Sequence, residues 1–252
     1  MEIDKKLLDD VTDSISNKTV HQLLLGPPII DRILGTVSLK PLDVRKFAQI
    51  HTALEAGEFY CRHLYNVPFY DSYLDHIAAT AKHGSELGQG AVLEFGVATG
   101  TTLRIIAKVA ARPVVGFDSF KGLPQNWRDG VGTGAFACEI PDLPPNASLR
   151  IGLIEETLPA FLATMKEKEI NFIHIDTDLY EPARTILSHC RAYMNKTVVV
   201  FDEFFNYPGW RDHEFLAYSE FKNAFAKEFD FRYLGLGGTV AVSVLITRKA
   251  RT

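Results

Sequence analysis

Ala91-Val-Leu-Glu-Phe-Gly-Val-Ala-Thr-Gly100 is the stretch on which the fold of this 252-residue chain turns. An apolar run reaches an acid, Glu94, turns at Gly96 and passes through Gly100, Thr101 and Thr102 into a helical pattern. The next apolar run, Pro113-Val-Val-Gly-Phe117, ends on Asp118. Strand, turn, helix, strand is the start of a parallel α/β sheet, whose ligands sit outside the carboxyl ends of the strands and face a helix N-terminus. A dinucleotide-binding turn needs G-x-G-x-x-G so that the backbone can approach a pyrophosphate. The second and third glycine positions here are Ala98 and Thr101, which suits a pyrophosphate poorly. S-adenosylmethionine carries no phosphate; it asks for room around a carboxylate and a sulfonium, and for an acid at its ribose hydroxyls. The expected cofactor is therefore S-adenosylmethionine, held by Gly96, Gly100 and Thr101 in the turn, by Asp118 and Ser119 at the ribose, and by Glu94 near the methionine amino group. A plain helix-capping role for Glu94 and Asp118 is the competing reading.

Outward from this stretch, strands at 91–95, 113–117, 148–151, 171–176 and 197–201 alternate with helical patterns at 100–111, 157–168 and 180–193. Alternation of this kind predicts parallel strands with right-handed crossovers and helices on both faces. Phe172-Ile-His-Ile175 and Val198-Val-Val-Phe201 are nearly unbroken apolar runs, as strands buried on both faces require. After a helix over 214–228, Phe231–Leu234 and Thr239–Ile246 are joined by Gly235-Leu-Gly-Gly238 and read as a hairpin. The fold expected is a doubly wound, Rossmann-like, seven-stranded sheet, mostly parallel with one antiparallel strand. Residues 1–85 read as an N-terminal helical region, a lid and oligomer contact, with apolar helical spacing over 43–65 and a further helix over 71–81; residues 86–252 form the cofactor-binding domain. A Gly- and Pro-rich segment, about 120–147, reads as a lid over the site.

Composition narrows the partners. A net charge of −4 argues against nucleic acid, which demands clustered Lys and Arg. No apolar run nears the roughly 18 residues of a membrane span. The charged start, Met1-Glu-Ile-Asp-Lys-Lys6, has no apolar stretch of a secretion signal behind it, and Cys61, Cys138 and Cys190 are few and scattered. The expected setting is the cytoplasm, the expected assembly a homodimer, and the expected substrate a small molecule.

Chemistry concentrates at two strand ends. His174-Ile-Asp-Thr-Asp-Leu-Tyr180 closes one strand and Val200-Phe-Asp-Glu-Phe204 the next. Asp176, Asp202 and Glu203 would meet at the ligand crevice. Crowded carboxylates repel unless a cation joins them, and an all-oxygen set suits Mg²⁺, Mn²⁺ or Ca²⁺. Helix capping is again the bland alternative, and Asp178, just before the helix at Tyr180, is best read that way. His174, on the same strand face as Asp176, is expected to be a buried, hydrogen-bonded histidine. A proton acceptor is sought in Asp176 itself or in His213, for which an idle surface position is the alternative reading; Tyr207 and Trp210 would shape the acceptor pocket. Gly152 and Glu155, after the third strand, are placed to reach the adenine, although a first-turn acid such as Glu155 serves a helix without any ligand.

Phe117-Asp-Ser-Phe-Lys-Gly-Leu-Pro124, His174–Tyr180 and Phe201-Asp-Glu-Phe204 together resemble the class I S-adenosylmethionine-dependent methyltransferases, and most closely the macrocin O-methyltransferase-like branch, over about residues 91–246. The resemblance implies Mg²⁺-dependent methylation of a hydroxyl on a natural-product sugar, with metal ligands at Asp176, Asp202 and Glu203. That branch carries Asp where this chain has Glu203, which keeps the charge and lengthens the reach. Catechol-type relatives place a lysine where this chain has Leu179, so a catechol mechanism is not implied. The rivals are a metal-independent N- or carboxyl-methyltransferase on the same fold and a nicotinamide-dependent oxidoreductase using Asp118 on the ribose.

Overall fold

The computed structural model describes residues 44–128 and 130–250. The chain divides into two compact units, Met1–Arg62 and His63–Thr252. Helices expected before residue 44 lie outside the described residues. Within the first unit, α1 (Val44–Phe59) occupies the segment whose helical spacing was apparent in the sequence, and a π-helical turn, Tyr60–Leu64, follows it across the boundary.

The second unit is built on one sheet. Its elements are β1 (Phe69–Tyr70), α2 (Tyr73–Glu86), β2 (Ala91–Phe95), α3 (Thr101–Ala110), β3 (Val114–Asp118), β4 (Ala147–Ile151), α4 (Ile154–Thr164), β5 (Ile170–Ile175), α5 (Tyr180–Cys190), β6 (Met194–Phe201), α6 (Glu214–Ala224), β7 (Phe229–Gly237) and β8 (Ala241–Arg248). The strand order is β1-β7-β8-β6-β5-β2-β3-β4, and β8 alone runs antiparallel to its neighbours β6 and β7. This is the doubly wound architecture expected, with eight strands in place of seven. The added strand, β1, is a two-residue edge ladder paired with Leu236 and Gly237, too short to show any alternation in sequence. No described helix is long and apolar enough to cross a membrane.

Burial explains the strand choice. Every residue of β2 and β5 is buried, because helices cover both faces of the sheet. On α3 the buried set Thr102, Leu103, Ile106, Ala107 and Ala110 forms one stripe, and the chain leaves the helix through Ala111 in a left-handed conformation. Helix α2, which the sequence grouped with the N-terminal region, belongs to this unit: Ser72 caps it, and its Gly84 lets it settle against Phe172 of β5. One misreading has a clear cause. Gly235 and Gly237 look like hairpin-turn glycines in the sequence, but they lie inside β7, where a side chain at Gly237 would strike the ring of His76 on α2 and one at Gly235 would press on it. Their smallness serves helix packing; the turn itself is at Gly238–Val240.

The ends of the central strands are set by three backbone bonds. Gly96 N–H donates to Phe117 O (2.9 Å), Asp176 N–H to Phe95 O (2.8 Å) and Asp202 N–H to Ile175 O (2.9 Å). Each bond ties the first residue beyond one strand to the last turn of the next, so Gly96, Asp176 and Asp202 emerge side by side. Gly96 has φ +89°, and a Cβ there would overlap the carbonyl oxygen of Asp176. Gly96→Ala is expected to cost at least about 3 kcal/mol in urea unfolding, because both the backbone conformation and the neighbouring carbonyl forbid it. Gly209→Ala, at φ +85° but with nothing within 4 Å of the added carbon, should cost only about 1 kcal/mol. Equal losses would mean that the contact with Asp176 is not what requires glycine.

Candidate active site

The carboxyl edge of β2, β3, β5 and β6 opens into a cavity of about 310 Å³. Strand order reverses around β2, with β5 on one side and β3 on the other, which is where a doubly wound sheet leaves a crevice. Of the expected cofactor residues, Gly96, Asp118, Ser119, Gly152 and Asp176 line it, and so do the two further acids Asp202 and Glu203. Ala98 is in the wall as well, while Leu123 and Phe136 close it from the segment between β3 and β4. Leu153 and Ile154 add an apolar face beside Gly152. The cavity thus offers an apolar slot for a purine, polar groups for a ribose and acids at the far end.

Asp118 does two things. Its Oδ2 accepts from the N–H groups of Val97 and Ala98, both at 2.8 Å, and its Oδ1 from Phe120 N–H at 2.7 Å. The carboxylate therefore shapes the turn after β2 while presenting its remaining lone pairs to the cavity.

Six expected residues stand elsewhere. Glu94 is fully buried and does not reach the cavity; its Oε1 contacts His174 Nδ1 at 2.9 Å. Gly100 caps α3 in a left-handed conformation, and its open face is packed by Pro141 and Leu143. Arg104 holds that segment down by donating to Thr99 O and Asp142 O. Thr101, at the start of α3, is exposed and outside the wall, with its Oγ1 3.1 Å from Thr99 Oγ1. Glu155 is an exposed first-turn acid of α4; its neighbours Leu153 and Ile154 line the cavity instead. His213 also lies outside the wall, stacked on Tyr207 and edge-on to Trp127, its pKa lowered by burial. Trp210, expected at the acceptor pocket, is a core residue packed on Phe215.

The acids at the far end are more numerous than the sequence suggested. Asp178 does not cap α5: the cap residue is Leu179, and no side-chain bond is made there. With φ +61°, Asp178 turns into the cavity and shares a hydrogen bond with Glu203. The carboxylates fall into two overlapping sets with ligand atoms within 4.8 Å of one another, Asp176–Asp178–Glu203 and His174–Asp176–Asp202. Asp176 belongs to both, so the three acids expected as a single set are bridged by it. Glu214, which the sequence reading passed over, is fully buried behind them; its Oε1 accepts from Thr177 N–H at 3.1 Å, and its Oε2 has no partner.

This crowding shows in proton affinity. Asp176 is held well above the ordinary carboxylate range, first by burial and then by Asp202 and Glu203. Glu214 is raised likewise by burial and by Glu203. Burial, Asp202 and the bond with Asp178 push Glu203 up to about 9. Arg128, whose guanidinium lies 3.9 Å over the Trp127 ring, offsets part of the charge on Asp178 and Glu203. Hard oxygen donors, mutual repulsion and a buried orphan oxygen fit a divalent cation of the Mg²⁺ or Mn²⁺ kind. The residues able to hold it are Asp176, Asp178, Asp202 and Glu203.

A family described as a methyltransferase domain matches residues 93–204, from within β2 to just beyond Glu203. No curated protein matches the chain in sequence. Among solved structures, CalS11, a calicheamicin methyltransferase, is 25% identical with a TM-score of 0.55, over 71% of this chain and 79% of its own. The apo form of CalS11, described as a TDP-rhamnose 3'-O-methyltransferase, gives 24% and 0.50 over the same shares. The O-methyltransferase NovP is 19% identical, with a TM-score of 0.51 over 71% of this chain and 79% of its own. The last two likenesses establish the fold.

The crowded acids predict a pH dependence with a definite sign. An acid with a raised folded pKa binds its proton more tightly when folded, so the stability it contributes is complete below its unfolded pKa and lost as pH rises toward the folded value. For Glu203 that window runs from about 4.5 to about 9. Between pH 7.5 and 8.5, His76, lowered from 6.5 to about 4 by burial, is nearly all neutral in both states. In EDTA the melting temperature should fall across that interval, by about 1.4 kcal/mol of stability per pH unit for each retained proton. Glu203→Gln should flatten the slope. A wild-type profile that is flat in EDTA would contradict the crowding.

Proposed function

We propose that this chain is a class I S-adenosylmethionine-dependent methyltransferase that methylates a hydroxyl oxygen of a small molecule, of the natural-product sugar class, with the help of a divalent cation held by its acid cluster. The observation that carries the proposal is the convergence of Asp176, Asp178, Asp202 and Glu203 on the far end of the cofactor cavity. A methyltransferase acting on an amine or a carboxylate has no evident use for four crowded acids beside a sulfonium. The likeness to CalS11 supports the sugar class.

Each part of the cavity has a task in this reading. Leu153, Ile154 and Phe136 enclose the adenine, and Asp118 with Ser119 accepts and orders the ribose hydroxyls. Gly96, bare of a side chain, leaves the methionine end of the cofactor room beside Asp176. A cation bound by the acids would lower the pKa of the acceptor hydroxyl and fix its direction. Asp176, which lines the cavity beside Asp202, takes that hydrogen on a carboxylate oxygen not given to the cation. The acceptor oxygen forms its bond to the methyl carbon as the carbon–sulfur bond breaks, and the sulfur leaves with the bonding pair as S-adenosylhomocysteine. Much of the acceleration comes from holding the two reactants in line. Trp127, Arg128, Tyr207 and His213 form an aromatic and cationic cluster behind Glu203 and outside the cavity lining, whose exposed Arg128 is placed to meet a negative group on the acceptor. His213 packs in that cluster, and Asp176 is the proton acceptor.

The proposal is tested by methyl transfer from labelled S-adenosylmethionine to a panel of hydroxylated acceptors that includes TDP-rhamnose and other nucleotide-linked sugars. The expected product is a base-stable ether, with at least about 100-fold less label incorporated in EDTA and recovery on adding Mg²⁺. Asp202→Asn should lose most of the turnover yet keep its affinity for S-adenosylhomocysteine. Undiminished transfer in EDTA, or label released by mild base as from a methyl ester, would replace this reading with a metal-independent one.

A further inference from the structure

The buried Glu94 and His174 have no part in the chemistry above, yet they lead toward it. Glu94 Oε1 meets His174 Nδ1 at 2.9 Å, and His174 Nε2 meets the Tyr73 hydroxyl at 3.1 Å. Tyr73 comes from the first turn of α2, 101 residues away in sequence, and its hydroxyl faces the Asp202 carboxylate, which together with burial makes the phenol hold its proton firmly. Four side chains from β2, β5, α2 and the end of β6 thus form one line from the core to the cavity. A ring nitrogen of His174 lies within 4.8 Å of carboxylate oxygens of both Asp202 and Asp176.

Hydrogen counting gives the line a direction. A phenol has one proton. Given to the Asp202 carboxylate, the stronger acceptor, it leaves the phenolic oxygen to accept from His174 Nε2. The 2.9 Å contact between Nδ1 and Glu94 Oε1 then carries one further hydrogen, shared by the ring and the carboxyl group, and Glu94 cannot move because it is fully buried within a paired central strand. Among the acids, Asp176 is flanked by other carboxyls and Asp178 is bonded to Glu203, whereas Asp202 has a neutral O–H aimed at it. A donor in that position fixes the rotation of the carboxylate and decides which of its lone pairs remain for a ligand.

We propose that Tyr73 is a positioning residue for the cation site: its hydroxyl, held by His174 on the buried Glu94, sets the Asp202 carboxylate in its binding orientation. The inference rests on the cation reading of the acid cluster. Tyr73 touches neither cofactor nor acceptor in this role; it acts through Asp202.

The test uses Mn²⁺ titrated into the full chain, with free Mn²⁺ followed by electron paramagnetic resonance, and S-adenosylhomocysteine binding followed by calorimetry. Tyr73→Phe keeps the ring and deletes the O–H. It should bind Mn²⁺ about 10-fold more weakly with S-adenosylhomocysteine affinity unchanged. His174→Gln should show a similar loss, and the double variant no more than either single one, because the two act in series. Wild-type Mn²⁺ affinity in Tyr73→Phe would overturn the proposal, as would losses that multiply in the double variant or an equal loss of S-adenosylhomocysteine affinity. A wild-type protein that binds no Mn²⁺ at all would remove the cation reading itself, and this proposal with it.

Discussion

Everything in the second unit is arranged around negative charge confined at the carboxyl edge of a parallel sheet. Carboxylates at such a position repel one another, and burial deprives them of the water that would screen them. The sheet nevertheless forces them together, because Asp176 and Asp202 donate their backbone N–H groups to the ends of adjacent strands and cannot withdraw. Glu214 closes the arrangement from behind through its bond to Thr177, the residue between Asp176 and Asp178. A fold that tolerates this crowding without a positive partner pays in stability. A bound cation would relieve that repulsion.

The cofactor end is organised by the opposite principle, small residues and backbone bonds. Gly96 is required by the carbonyl of Asp176, so the cofactor turn and the acid cluster are one piece of geometry. Asp118 ties that turn to β3 through the N–H groups of Val97 and Ala98. The segment between β3 and β4 then lays Leu123 and Phe136 over the cavity, while Arg104 anchors its far end at α3.

Much of this was legible in the sequence because burial on both faces writes an unambiguous apolar signature. The five central parallel strands, the terminal hairpin and the acids at 118, 176, 202 and 203 could all be located from alternation and strand ends. What escaped depended on contacts between distant segments. Gly235 and Gly237 look like turn glycines, and only the presence of His76 from α2 shows why they sit in a strand. Asp178 looks like a helix cap, and its left-handed backbone, which points it at Glu203, has no sequence signal. His213 follows Asp202 and Glu203 closely along the chain, yet the aromatic loop carries it outside the cavity wall. Tyr73 and Glu214 are separated from their partners by whole elements and share no motif with them.

The account stands on the acids being protonated when crowded and ionised when a cation joins them. The most direct measurement is the proton count on binding: Mg²⁺ is titrated into metal-free protein in weak buffer at pH 7, and the protons released are measured alongside the heat. With Glu203 held up to about 9 and Asp176 raised well above the ordinary range, the account predicts release of at least one proton for each cation bound. Cation binding with no proton released, or no binding at millimolar Mg²⁺, would contradict it.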